Sequence, residues 1–165
     1  MPEAHRAANH RVPTAQEIMV TSLVTFKPDM PLSRARAVLL SKRISGAPVI
    51  DDDGMLIGML SELDCLRVLS SDVFHAGDQE ELGRVEHYMT EMAVTISPDT
   101  DLYGIAHYFL TKGVRRLPVL ERGKLIGQVS RRDVLRLIDE MSRKRGSRKH
   151  YPDYREPEKL SVPRA

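Results

Sequence analysis

Residues 44–64 read ISGAPVIDDDGMLIGMLSELD, and residues 114–133 read VRRLPVLERGKLIGQVSRRD. Both hold a Pro-Val (Pro48-Val49, Pro118-Val119), a glycine-bearing turn, a Leu-Ile-Gly (Leu56-Ile57-Gly58, Leu125-Ile126-Gly127) and a closing Ser-x-x-Asp (Ser61 and Asp64, Ser130 and Asp133). The match extends outward. Met19, Val24-Thr25, Pro28-Asp29, Leu32 and Lys42 recur as Met89, Val94-Thr95, Pro98-Asp99, Leu102 and Lys112, and Leu66-Arg67 recurs as Leu135-Arg136. The offset is 70 up to Val49/Val119 and 69 from Gly54/Gly123 onward. One residue is lost in a turn, where deletions cost little. A tandem repeat builds a symmetric object with paired clefts, so function is expected between the copies.

Each copy runs in the same order. A short helical start (Ala15–Met19, Val85–Met89) leads to a β-like run (Leu23–Phe26, Ala93–Ile96), which Pro-Asp breaks. An amphipathic helix follows. Leu32, Ala35, Val38 and Leu39 share one face in the first copy, and Leu102, Ile105, Ala106, Phe109 and Leu110 in the second. Pro31 suits a first helical turn and Thr100 an N-cap. Two short strands come next, Ala47–Ile50 with Met55–Met59 and Leu117–Leu120 with Lys124–Val129, joined by hairpin-type turns at DDDG and ERG. A last helix begins at Ser61 or Ser130. The unit is β-α-β-β-α. The expected organisation is a polar arm over 1–13, a first unit over 14–69, a linker over 70–84, a second unit over 85–141 and a basic, proline-containing tail over 142–165.

Bulk properties narrow the class. A chain of 165 residues can bury a real core. Its 41% hydrophobic and 29% charged residues and net charge of +2 are ordinary for a globular protein. No apolar run approaches the ~18 residues of a membrane span, and the N-terminal residues lack the apolar core of a secretory signal. Cys65 is the single cysteine, which precludes an internal disulfide. A cytoplasmic protein is expected.

The ordered pattern of a strand, Pro-Asp, a helix, hydrophobic-Pro-Val, a turn, hydrophobic-hydrophobic-Gly and Ser-x-x-Asp, found twice over roughly residues 14–138, resembles the cystathionine-β-synthase (CBS) domain family. The tandem is similar to a CBS pair, or Bateman module. The resemblance implies an α/β fold of two β-α-β-β-α units packed sheet to sheet about a pseudo-twofold axis. It also implies an adenosine-containing ligand (AMP, ADP, ATP or S-adenosylmethionine) in the clefts between units, and pairing of modules into a homodimer.

A nucleoside site needs a carboxylate for the ribose hydroxyls, apolar walls for the base and donors for phosphate. Asp64 and Asp133 suit the ribose role, each in the first turn of an expected helix, where free N–H groups attract anions. The resemblance sets the Ser-x-x-Asp of one copy against the strand and hydrophobic-Pro segment of the other. Site A would then join Thr25, Ser45, Gly46, Ala47 and Pro48 to Ser130, Arg131 and Asp133. Site B would join Thr95, Arg115, Arg116, Leu117 and Pro118 to Ser61 and Asp64. Gly46 and Ala47 are small and leave room for a base, whereas Arg115 and Arg116 are bulky cations that reach phosphate or fill the cleft. Arg131 and Arg132 flank Asp133, and Glu62 precedes Asp64, so site A is expected to be the nucleotide site and site B the weaker one. Ser-x-x-Asp is equally a helix-capping pattern, and that reading stays open.

Other features point elsewhere. His5, His10, His75, His87, His107 and His150 have no metal-ligand spacing. Cys65 reads as a small core residue, and the methionines, Met55 and Met59 among them, as gap-filling core or dimer surface. The basic run over 143–149 reads as a solvated helix end, with nucleic-acid binding the weaker alternative. No catalytic constellation, P-loop or dinucleotide fingerprint is present. The expectation is a stand-alone regulatory module that binds a nucleotide and signals to a protein partner, with no enzymatic activity. The alternative is a ligand-free dimerisation scaffold.

Overall fold

The computed structural model describes residues 11–70 and 83–144. In chain order the regular elements are α1 (Ala15–Ile18), α2 (Leu32–Lys42), β1 (Gly46–Ile50), β2 (Leu56–Ser61), α3 (Glu62–Leu66), α4 (Leu102–Lys112), β3 (Arg116–Glu121), β4 (Lys124–Ser130) and α5 (Arg131–Lys144). Short 3₁₀ turns cover Arg67–Ser70 and Val85–His87. β1 pairs antiparallel with β2, and β3 with β4, each pair with one register shift near the turn. Arg122 and Gly123 both take positive φ, 51° and 79°, which is the conformation a two-residue hairpin turn demands. The longer first turn is held by Asp51, whose Oδ1 accepts from the N–H groups of Asp53 (3.0 Å) and Met55 (2.9 Å).

Each hairpin carries one helix before it and one after it. Leu32, Ala35 and Leu39 of α2 bury against Val49 and Leu60, and Leu102, Ile105 and Phe109 of α4 against Leu117, Val119 and Val129. Helix α4 ends at Gly113 (φ 65°), but α2 ends at Arg43 (φ 53°), a left-handed position where glycine is the easier residue.

The two units are not self-contained. The segment that precedes each repeat packs on the other one. Ala15 is fully buried with Ile96, Leu102 and Val129, and Ile18 and Met19 pack beside it, all against the second unit. Val85 is fully buried with Phe26, Leu32 and Leu60, and Tyr88 and Met89 join them on the first unit. Backbone bonds follow the same exchange. Ala15 N–H donates to Thr100 (2.8 Å) and Leu102 N–H to Pro13 (2.9 Å), while Leu32 N–H donates to Gly83 and Val85 N–H to Met30 (both 2.9 Å). Val20 and Gln128 exchange both backbone bonds (2.9 and 3.0 Å), as Met59 and Thr90 do (2.9 and 2.8 Å). Each lead-in turn is closed by a side chain three residues on: Thr14 N–H donates to Glu17 Oε2 (2.8 Å) and Arg84 N–H to His87 Nδ1 (3.2 Å). The hairpin turns also meet, Leu56 N–H donating to Gly123 and Leu125 N–H to Gly54.

Several local expectations change. Leu23–Phe26 and Ala93–Ile96 are not strands: only Phe26 and Ile96 bridge, in parallel, to Val49 and Val119, while Leu23, Val24, Ala93 and Val94 line the clefts. Ser61 is the N-cap of its helix rather than its first residue, and Ser130 likewise directly precedes α5. The cap of α4 is Asp101, whose Oδ1 accepts from Gly104 N–H (2.8 Å), one residue after Thr100. Leu110 leaves the apolar face and is 85% exposed. Cys65 is buried, and burial pushes its thiol pKa up, with Asp64 adding to the effect. Arg143 and Lys144 close α5, Arg143 paired with Asp139 at 2.7 Å. The remaining tail, the arm to residue 10, linker residues 71–82, and His5, His10, His75 and His150 lie outside the described residues.

Candidate functional site

The two Ser-x-x-Asp motifs build the same capping box. Ser61 N–H and its hydroxyl both donate to Asp64 Oδ2 (2.8 and 2.7 Å), and Asp64 N–H donates to Ser61 Oγ (3.2 Å). Ser130 and Asp133 repeat this at 2.8, 2.6 and 3.3 Å. An Asp three residues past the cap is short enough to reach back with one oxygen only. The other oxygen, Oδ1, meets an arginine three residues further: Arg67 at 3.3 Å from Asp64 and Arg136 at 3.5 Å from Asp133. Capping and ligand binding are therefore compatible, because they draw on different oxygens of one carboxylate.

Each motif opens on a cleft walled by the other unit. Cleft A, about 280 Å³, sets Ser130, Asp133, Arg132 and Arg136 opposite Val20, Ser22–Val24, Ile44, Gly46 and Pro48. Cleft B, about 590 Å³, sets Ser61, Glu62 and Asp64 opposite Thr90, Met92–Val94, Val114, Arg115, Arg116 and Pro118. Ligand cavities run to roughly 300–1,000 Å³, so B has room for a nucleoside as it stands and A is near the lower bound.

The sequence-derived sets are gathered in part. Gly46, Pro48, Ser130 and Asp133 line cleft A. Arg115, Arg116, Pro118, Ser61 and Asp64 line cleft B. Ser45 lines B instead of A. Ala47 and Leu117 face the cores of their units and are fully buried, since alternate strand residues point to opposite faces. Thr25 and Thr95 are half-buried and line neither cavity. Arg131 turns away: its Nε and Nη2 donate to the carbonyls of Val114 (3.0 Å) and Gly113 (3.1 Å), just past the end of α4. The small residues at 46 and 47 do not make cleft A the roomier one, because Ala47 is spent on the core and Gly46 borders both cavities.

Arg132, Arg136, Gln128 and Met59 are cleft residues missing from the sequence-derived sets. The recurrence of Leu66-Arg67 as Leu135-Arg136 is the signal that could have found Arg136. No pattern signalled Gln128 and Met59, which occupy equivalent places with unlike side chains.

Arg116 stands where the first unit has Gly46 and borders both cavities. Burial pulls its guanidinium pKa down, and the carboxylates of Asp133 on one side and Glu62 on the other oppose that. Cleft A thus carries Arg116, Arg132 and Arg136 against Asp133, while cleft B carries Arg115 and Arg116 against Glu62 and Asp64. Among the described residues no cluster of His, Cys, Asp and Glu could hold a metal ion, and no helix is long and apolar enough to cross a membrane.

Comparison with known proteins gives the same architecture. The family model of the CBS domain matches residues 15–71 and 85–140. A CBS domain-containing protein of Dictyostelium discoideum is 32% identical over 130 residues, 74% of this chain and 89% of that protein. The uncharacterised protein MJ1225 of Methanocaldococcus jannaschii is 29% identical over 123 residues, 74% of this chain but 42% of its own length. The CBS-pair protein CBSX2 of Arabidopsis thaliana superimposes with a TM-score of 0.71 at 30% identity, covering 81% of this chain and 99% of that one. CBSX2 in complex with AMP superimposes at 0.69, with 30% identity, over 78% and 98% of the two chains.

Proposed function

The chain belongs to the CBS-domain family, and from that premise we propose that it is a regulatory module binding an adenosine-containing ligand (AMP, ADP, ATP or S-adenosylmethionine) between its units. One observation carries this reading. Asp133 caps α5 with Oδ2 and keeps Oδ1 beside an arginine-lined cleft. A carboxylate oxygen accepts the ribose hydroxyls, and arginines grip phosphate. The structure of CBSX2 in complex with AMP, 30% identical to this chain and covered over 98% of its length, lends support.

Charge favours cleft A for the ligand. Three arginines face one carboxylate there, whereas two carboxylates offset the two arginines of the roomier cleft B. An anionic nucleotide goes to A, and B is the weaker site for it.

The module acts without catalysis, as a cytoplasmic homodimer that passes ligand occupancy to a protein partner through a population shift. The exposed pairs Leu40/Leu110 and Leu66/Leu135, related by the repeat, are large apolar side chains of the kind a second copy covers. A ligand-free scaffold is the second reading, and the same exposed leucines favour it.

The test is a thermal-shift titration with AMP. Wild type is stabilised, whereas Asp133→Ala and Asp133→Asn, folded by circular dichroism, give no shift. Full shifts in both variants would overturn the assignment to cleft A. No shift with any adenosine compound in wild type would leave the scaffold reading.

A further inference from the structure

Gln128 is buried, with 8% of its surface exposed, and among the described residues its Oε1 is a buried acceptor without a hydrogen-bond partner. Its backbone is fully engaged, donating to and accepting from Val20. The adjacent Val129 points into the core of the second unit. Alternation along β4 therefore turns Gln128 and Ser130 to the opposite face, where both line cleft A. The equivalent residue of the first unit is Met59, bonded to Thr90 in the same way and lining cleft B. The fold accepts an apolar residue at this place, so the amide is not needed for the strand. A buried acceptor left without a donor is unfavourable, and a donor brought by a ligand removes that penalty.

Resting on the reading of cleft A as a nucleotide site, we propose that Gln128 is its base-reading residue, selecting a purine with an exocyclic amino group beside a ring acceptor. Oε1 accepts from the amino group and Nε2–H donates to the neighbouring ring nitrogen. This is the two-bond match between a glutamine and adenine. Gln128 and Ser130, two apart on β4 and so about 6.6 Å from one another, face the same cleft as the Asp133 carboxylate that would take the ribose, so base and ribose can be met by one strand and the helix it leads into. Cleft B, with Met59 in this place, has no such reader.

Isothermal titration of wild type, Gln128→Met and Gln128→Leu with AMP and with purine riboside 5′-monophosphate tests this. The second compound lacks only the amino group. Wild type should prefer AMP by about tenfold, the scale of one well-made hydrogen bond, and the two variants should bind both compounds alike. Gln128→Glu, which keeps an acceptor oxygen, should retain most of the preference and serves if the apolar variants fail to fold. An unchanged preference in folded variants, or none in wild type, would overturn the role of Gln128 while leaving cleft A a nucleotide site. Absence of AMP binding in wild type would remove the reading of cleft A itself.

Discussion

The thioether of Met89 fills the space beside Gly58: a Cβ on that glycine would stand 2.8 Å from the sulfur and 3.0 Å from the carbonyl oxygen of Thr90. Met19 covers Gly127 in the same manner. The glycine of each Leu-Ile-Gly is the seat on which the other repeat's lead-in methionine rests. A side chain there would push the two units apart where their backbones exchange hydrogen bonds.

Gly58→Ala should therefore cost about 1–3 kcal/mol, the range for overpacking a filled core. Met89→Ala in the same chain should return part of that loss, since the sulfur yields but the Thr90 carbonyl does not. Urea denaturation of the two single variants and the double variant checks it. Strictly additive losses would refute the contact.

Ser130→Ala removes the hydroxyl that accepts from Asp133 N–H and donates to its carboxylate. Loss of such a cap costs about 0.5–2 kcal/mol. Leu60→Ala, in the fully buried core, should cost about 2–5 kcal/mol. Denaturant midpoints should rank the variants in that order, and the reverse order would show that the cap is not local.

Glu17 is exposed, and the N–H and hydroxyl of Thr14, with Arg11 nearby, hold its carboxyl below the ordinary 4.5. A depressed carboxylate stabilises the fold above its unfolded pKa and loses that contribution as pH falls through the folded one. The midpoint difference between wild type and Glu17→Gln should be full near pH 7 and be lost as pH falls below the ordinary glutamate range and through the lowered folded-state pKa. A difference that persists in acid would place the effect in packing rather than in charge.

The repeat was legible because its signals are local and doubled. Pro118-Val119 and Leu125-Ile126-Gly127 define a hairpin by alternation and turn chemistry alone, and Ser130 with Asp133 defines a helix start. The exchange of lead-in segments was not legible. Ala15 and Val85 look like ordinary helix residues, and nothing in their neighbourhoods along the chain says that their burial lies across the molecule. Phe26 is a related case: its hydrophobic run is the same whether it pairs along its length or bridges at one residue. Within the clefts, Asp133 was found by spacing. Arg131 was misplaced, because adjacent helix residues point about 100° apart and only Arg132 turns inward.

The crossing of the lead-in segments also sets an order in time. As the chain is made, residues 26–60 can close their core once Val85 and Met89 have emerged, with nothing further required. Residues 13–20 have no seat until Ile96, Leu102 and Val129 exist, more than a hundred positions later for the last of these. Of the described segments, the first to leave the ribosome is among the last to find its place, and a chain halted inside the second repeat would carry a closed first core beside an unclaimed strip of apolar residues.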